Sequence, residues 1–192
     1  MEPASVFGLI KGLFDGIRGV FGAVVPKLEL TYEAGKPPYV EADEYMSFAA
    51  ATADAEGNVQ STTISSPRRR FRVGIKNRSM ETVEDVRAEL VSIEPDVIGH
   101  LPMALSIMHN TPQPLTVHRA PDPSYFADVI LKLDNEDRMH LMTAIQTPRG
   151  VGGIPAGHYR LGVRVTGRNT PAVTKHYVAD VDDKHQLVFA PD

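Results

Sequence analysis

Between Arg68 and Phe189 apolar and polar side chains alternate, and this period of two constrains the fold more than any other feature of the chain. Successive side chains of a strand point to opposite faces, so the pattern suits sheets with one face buried. In 68–78, Phe71, Val73 and Ile75 share one face, and Arg70, Arg72, Lys76 and Arg78 share the other. Val83–Ile93 sets Val86, Ala88 and Leu90 against Asp85, Arg87 and Glu89. Tyr125–Leu133 groups Tyr125, Ala127, Val129, Leu131 and Leu133 opposite Asp128 and Lys132. Tyr159–Val165 groups Tyr159, Leu161, Val163 and Val165 opposite Arg160 and Arg164. Adding Lys27–Tyr32, His140–Thr147, Val173–Val181 and Leu187–Phe189 predicts roughly seven to nine strands with turn-rich joins. No helical period lies between them, so the crossovers that a parallel sheet needs are missing. The expectation is an antiparallel β-sandwich over 27–192. It includes an irregular excursion at 35–66 with room for one hairpin, marked by Pro37-Pro38, an alanine-rich stretch and a turn at Glu56-Gly57-Asn58.

The first 26 residues are built differently. Val6, Ile10, Leu13, Ile17, Val20 and Val24 fall at alternating steps of four and three, the spacing of one helical face. Phe7, Phe14 and Phe21 widen that stripe, while Lys11, Asp15 and Arg18 lie opposite. Ser5 is placed to cap the helix and Pro26 to end it. Gly8, Gly12, Gly16, Gly19 and Gly22 should each cost about 1 kcal/mol in a water-exposed helix, so the segment needs a surface to hold it. About twenty residues give a length near 30 Å, enough to cross a bilayer, but each central charge would cost about 2.5–3.5 kcal/mol there. An in-plane interfacial helix suits the pattern better. The heptad-like spacing also permits self-association or docking on a partner, and packing on the chain's own domain is the third expectation. A cleaved signal peptide fits poorly, because the leading residues are acidic and no A-x-A site follows.

Composition narrows the chemistry. Cysteine is absent, which excludes disulfides, zinc-thiolate sites and thiol nucleophiles. A net charge of −4 gives no reason to expect nucleic-acid binding. The run Arg68-Arg69-Arg70-Phe71-Arg72 could grip phosphate, acidic lipid or nucleic acid. If 68–78 and 83–93 form one hairpin, Arg72 faces Glu89 and Lys76 faces Asp85, a ladder of opposite charges. Arg68 and Arg69 lie outside that ladder and are the better candidates for contact with a partner. The histidines at 100, 109, 118, 140, 158, 176 and 185 show no HxH, HExxH or HxxxH spacing, so no metal site is expected. Asp134, Glu136 and Asp137 match a calcium loop in composition only, lacking its glycine and terminal glutamate. Gly-x-Ser-x-Gly is absent, and Arg149–Gly153 lacks the lysine of a phosphate loop. No catalytic residue, metal or cofactor is expected.

Several stretches resemble a bacterial immunoglobulin-like domain that recurs in otherwise uncharacterised proteins, often after a membrane helix. They are Arg70–Asn77, followed by the Val83–Pro95 strand, then Pro102 to Leu105, and last Ile154–Leu161 leading to Gly167-Arg168-Asn169. The "aGxYxL" element around Tyr159 looks like a tyrosine corner, whose hydroxyl bonds back to nearby backbone. The disulfide and core tryptophan of antibody-type domains have no counterpart. The resemblance implies an immunoglobulin-like sandwich and a position near membranes, and no reaction.

The functional expectation is a non-catalytic binding or structural module. Its N-terminal helix would hold it to a membrane surface or a protein partner, with Phe7, Ile10, Phe14, Ile17, Phe21, Arg68 and Arg69 as contact candidates. By the positive-inside bias, a spanning helix would leave the β domain cytoplasmic. The first alternative is a self-assembling structural protein, viral or particulate, a homo-oligomer formed through the same helix. The second is a hydrolase or metal enzyme whose site forms only in three dimensions.

Overall fold

The computed structural model describes residues 27–48, 52–53, 59–60, 63–134, 136–144, 153–182 and 186–192. The expected helix and its candidates Phe7, Ile10, Phe14, Ile17 and Phe21 lie outside these residues. In chain order the strands begin β1 (Leu28–Thr31), β2 (Val40–Phe48), β3 (Thr52–Ala53), β4 (Val59–Gln60), β5 (Thr63–Asn77), β6 (Val83–Glu94), β7 (Met103–Ala104) and β8 (Ser106–Ile107). After a 3₁₀ turn at Met108–Asn110 come β9 (Leu115–Val117), β10 (Tyr125–Leu133), β11 (Arg138–Leu141), β12 (Ile154–Pro155), β13 (His158–Gly167), β14 (Thr170–Val181) and β15 (Leu187–Pro191). Among the described residues they form two main antiparallel sheets and a separate two-stranded one, β3-β4. One runs β1-β5-β10-β11-β12, with β2 also on β5 and β8 on β10. The other runs β15-β14-β13-β6-β7, with β9 also on β6. The chain is mainly β, as its alternation predicts.

The core is the set of inward positions of both sheets. Phe71, Val73 and Ile75 of β5 meet Val86, Ala88 and Leu90 of β6 and Leu161, Val163 and Val165 of β13 in one buried cluster. Each fully buried aliphatic side chain contributes about 1.5–3 kcal/mol relative to exposure, so these strands carry much of the stability. The hydroxyl of Tyr159 donates to the Pro155 carbonyl at 3.1 Å, the back-bond expected of the "aGxYxL" element.

Two expectations are corrected. First, 68–78 and 83–93 do not form one hairpin: β5 and β6 belong to different sheets, and the chain turns a corner between them. Asn77 builds that corner, its amide donating to the Glu81 and Val117 carbonyls at 2.6 and 3.0 Å. Its oxygen accepts from the Ser79 N–H and hydroxyl at 2.9 and 2.5 Å. The charge ladder therefore does not exist. Glu89 pairs with Arg164 and Asp85 with Arg168. Second, a bulge in β10 between Asp128 and Ile130 shifts the register against β5. An extra residue in one strand flips the faces beyond it, so Ile130 and Lys132 are buried while Leu131 is half-exposed. Within the expected excursion at 35–66, two strand pairings are described. β2 pairs with the first part of β5 from Val40↔Phe71 to Phe48↔Thr63, and β3 pairs with β4.

One end of the sandwich is closed by aromatic rings. Tyr177 stacks on Phe189 at 5.2 Å, and Tyr32 meets Phe189 edge-on at 5.1 Å. Tyr39 meets Phe126 edge-on at 5.2 Å. The Tyr177 hydroxyl is buried without a hydrogen-bond partner. An unpaired buried hydroxyl costs about 1–3 kcal/mol, so Tyr177→Phe is expected to raise stability by about 1 kcal/mol at neutral pH. Burial also pushes the ionisation of Tyr177 well above the ordinary value of 10.0. Above pH 10 the unfolded chain loses this proton while the folded chain keeps it, so stability falls as pH rises. The advantage of the phenylalanine variant should therefore widen from pH 10 upward. Urea midpoints at pH 7 and pH 11 check both signs. A variant about 1 kcal/mol less stable at pH 7 would show that the hydroxyl is paired after all.

Candidate functional site

The arginine run occupies β5, and alternation places Arg68, Arg70 and Arg72 on its outer face. That face is covered where the 32–39 loop and Pro123 close over it. At Gly74 a Cβ would lie 2.5 Å from Thr31 Oγ1 and 2.7 Å from Pro123 Cγ, so only glycine allows this approach. Two residues earlier, Arg72 is 1% exposed. A buried guanidinium requires partners, and it has three. Its Nε donates to Asp128 Oδ1 at 2.5 Å, its Nη2 to Glu41 Oε2 at 2.5 Å and its Nη1 to the Pro38 carbonyl at 3.1 Å. Asp128 stands directly across on β10, and Glu41 comes from β2 on the other side. Arg70 Nη1 lies 3.9 Å from Asp128 Oδ2, so both arginines converge on one carboxylate.

The two predicted contact arginines are near this network. Arg68 makes a fork to Asp43, with Nε–Oδ1 at 2.5 Å and Nη2–Oδ2 at 2.6 Å. That bond holds the Asp43 carboxyl below the ordinary carboxylate range. Arg69 turns to the opposite face, 3.8 Å from Asp134 and about one-third exposed. Arg68, Arg70 and Arg72 of the outer face thus each lie within 4.0 Å of a carboxylate of Asp43, Asp128 or Glu41. Sequence reasoning missed Asp128 and Glu41 as partners because neither is near the run in sequence.

Lys132 explains the acidic turn that follows it. Its ammonium is buried and donates to the carbonyls of Leu133 and Glu136. Burial pushes its proton affinity below the usual lysine range, and Asp134, Glu136 and Asp137 partly offset this. The cation at this turn is therefore the chain's own ammonium. His140 lies 2.9 Å from Glu136, and His118 lies 3.0 Å from Thr82. Among the described residues no three His, Asp or Glu side chains are placed to hold a metal ion. A groove of about 370 Å³ runs along the flank between Arg87, Glu89 and the 104–113 segment. The one carboxylate among its lining residues, Glu89, accepts from Arg164 Nε and Nη2 at 3.2 and 2.7 Å.

The remaining feature is the pole where the chain enters the sandwich. Lys27 is tied there by its carbonyl, which accepts the Arg78 N–H at 2.8 Å. Lys76 and Arg78 alternate onto one side at the end of β5, and a bridge between Asn77 and Arg119 brings a third cation beside them. Together with Asn77, Ala120 and Pro121 they line an open notch of about 440 Å³. Lys76 donates to the Pro121 carbonyl, Arg78 to Glu29, and Arg119 touches the Met80 sulfur. Met80 is 72% exposed, the most exposed large apolar side chain among the described residues. Among those residues no helix is long and apolar enough to cross a membrane. Comparison with family models, with curated proteins and with solved structures found no match.

Proposed function

We propose that the chain is a non-catalytic binding or structural module of immunoglobulin-like architecture, held to a membrane surface by its N-terminal amphipathic segment. The carrying observation is a juxtaposition. The amphipathic segment of residues 5–25 leads directly into Lys27, at the pole where Met80 projects and three cations gather. A helix lying in the plane of an interface would bring that pole against the headgroups, where apolar tips and cations are favourable. Two paired antiparallel sheets and the Tyr159 back-bond support the immunoglobulin-like reading. The pairing of Glu89 with Arg164 and of the β5 arginines with Asp43, Asp128 and Glu41 supports a scaffold role for the charges seen in the sequence.

The test uses the full chain. Phe14→Asp with Ile17→Asp places two charges on the apolar stripe, each costing about 2.5–3.5 kcal/mol at depth in a bilayer. Binding to vesicles of phosphatidylcholine and phosphatidylglycerol is expected to fall at least ten-fold with the β domain still folded. Equal binding by both proteins would sink the tether. The alternative is self-assembly through the same stripe, with its seven-residue phenylalanine repeat as the motivating feature. It would be favoured if the intact chain ignores vesicles and the variant drops from a defined oligomer to a monomer in light scattering.

A further inference from the structure

We infer that the notch formed by Lys76, Arg78 and Arg119 is a binding site for the phosphate of an anionic phospholipid headgroup. This rests on the membrane-surface reading above and adds to it a specific ligand and specific residues. Three positively charged side chains converge there, and no carboxylate belongs to the lining. Arginine carries five N–H donors and lysine three, so one hydrogen bond apiece leaves most of the donors available. Arg78 uses its Nε on Glu29, Arg119 one terminal nitrogen on the Met80 thioether, and Lys76 one bond to a carbonyl. Neither Lys76 nor Arg119 has an ion-pair partner among the described residues, unlike Arg68, Arg72, Arg160, Arg164 and Arg168.

The local backbone is built to hold this shape. The Asn77 side chain is fully buried and pins the 78–82 turn and the end of β9 at once. Arg78 is fastened to Lys27 through the backbone, and Arg119 to Asn77 through the bridge. The cations are thus presented by fixed strand ends, with the planar forks of two arginines suited to a phosphate. Position selects the source of that phosphate. The notch adjoins the point where an amphipathic segment enters, so a segment seated in the interface brings the notch to headgroup depth.

Vesicle co-sedimentation of the full chain tests this. Phosphatidylcholine vesicles are compared with vesicles of phosphatidylcholine and phosphatidylglycerol, for the natural chain and for Lys76→Ala with Arg119→Ala. The natural chain should prefer the anionic vesicles. Each cation near an anionic surface gives roughly a five-fold gain, so the double variant should lose about 25-fold of that preference. Its binding to phosphatidylcholine alone should stay unchanged, because the amphipathic segment is intact. Lys76→Arg with Arg119→Lys should retain the preference. If the double variant keeps the natural preference, the notch is overturned while the tether stands. If the natural chain binds neither vesicle, the tether itself fails. If it shows no preference for anionic vesicles but inorganic phosphate saturates the Arg119 side-chain resonances below millimolar concentration, the notch serves a soluble anion and the lipid assignment is overturned.

Discussion

Asp128→Ala is expected to destabilise the fold by about 3–5 kcal/mol, the largest effect of any single polar substitution proposed for this chain. Removing one partner of a buried ion pair leaves the other charge desolvated and uncompensated, which costs more than the pair itself contributes. Arg72 is 1% exposed and cannot swing into water without moving the 32–39 loop and β2, which pack over it. Arg70, also directed at Asp128, would lose its nearest carboxylate in the same step. Glu41 cannot take over, because its side chain is 51% exposed and its charge is screened by solvent. Glu41→Ala should therefore cost less than about 1 kcal/mol. Arg72→Met combined with Asp128→Leu should recover most of the loss, since an apolar pair needs no desolvation. Urea unfolding of the four proteins checks the order. A loss below about 1 kcal/mol for Asp128→Ala would mean that Arg72 finds water or another partner, and the pair would not be the keystone of this face.

Leu105→Ala should cost about 2–5 kcal/mol by leaving a cavity. The short segment around it crosses from one sheet to the other. β7 pairs with β6, β8 pairs with β10, and Leu105 sits between them at 0% exposure. Its N–H donates to the Ala88 carbonyl at 2.9 Å, and its carbonyl accepts from the Gln113 amide at 2.6 Å. Gln113 Oε1 in turn accepts the Ala88 N–H at 2.7 Å, so a side chain completes the ladder where no strand reaches. Leu105 thus plugs the open flank of the sandwich and is held by both sheets, so relaxation cannot fill the space its loss creates. Met103→Ala, at a half-buried position two residues earlier, should cost less than Leu105→Ala. Thermal unfolding of both variants is the check. Equal small shifts would show that the flank collapses freely and that Leu105 closes nothing.

These two sites differ in how far they could be foreseen. The segment from Pro102 to Leu105 is visible in the sequence as a distinct element, but nothing local marks Leu105 as the residue between the sheets. Arg72 is visible as an outward residue of an alternating strand. Its burial is not, because its partners come from Pro38, Tyr39, Glu41 and Asp128, all far from it in sequence. The proposed headgroup notch is a similar case. Lys76 and Arg78 can be read as neighbours on one strand face, whereas Arg119 joins them only through a bridge spanning more than forty residues.

What the sequence determines by itself is the period. Alternation at 68–78, 86–90 and 159–165 dictates strands and their core-facing sides, because side-chain direction along a strand follows from backbone geometry alone. The hydroxyl back-bond of Tyr159 is equally local, reaching four residues to Pro155. The tertiary structure alone decides which strand lies beside which, and with it every charge partner. Arg72 and Glu89 sit on plausible facing positions of one hairpin, yet a corner held by Asn77 sends their strands into different sheets. The bulge in β10 shows the same limit, since one residue out of register against β5 turns Lys132 from an outward charge into a buried cap on its own turn. Local geometry sets the direction of each side chain, and long-range pairing sets what that side chain meets.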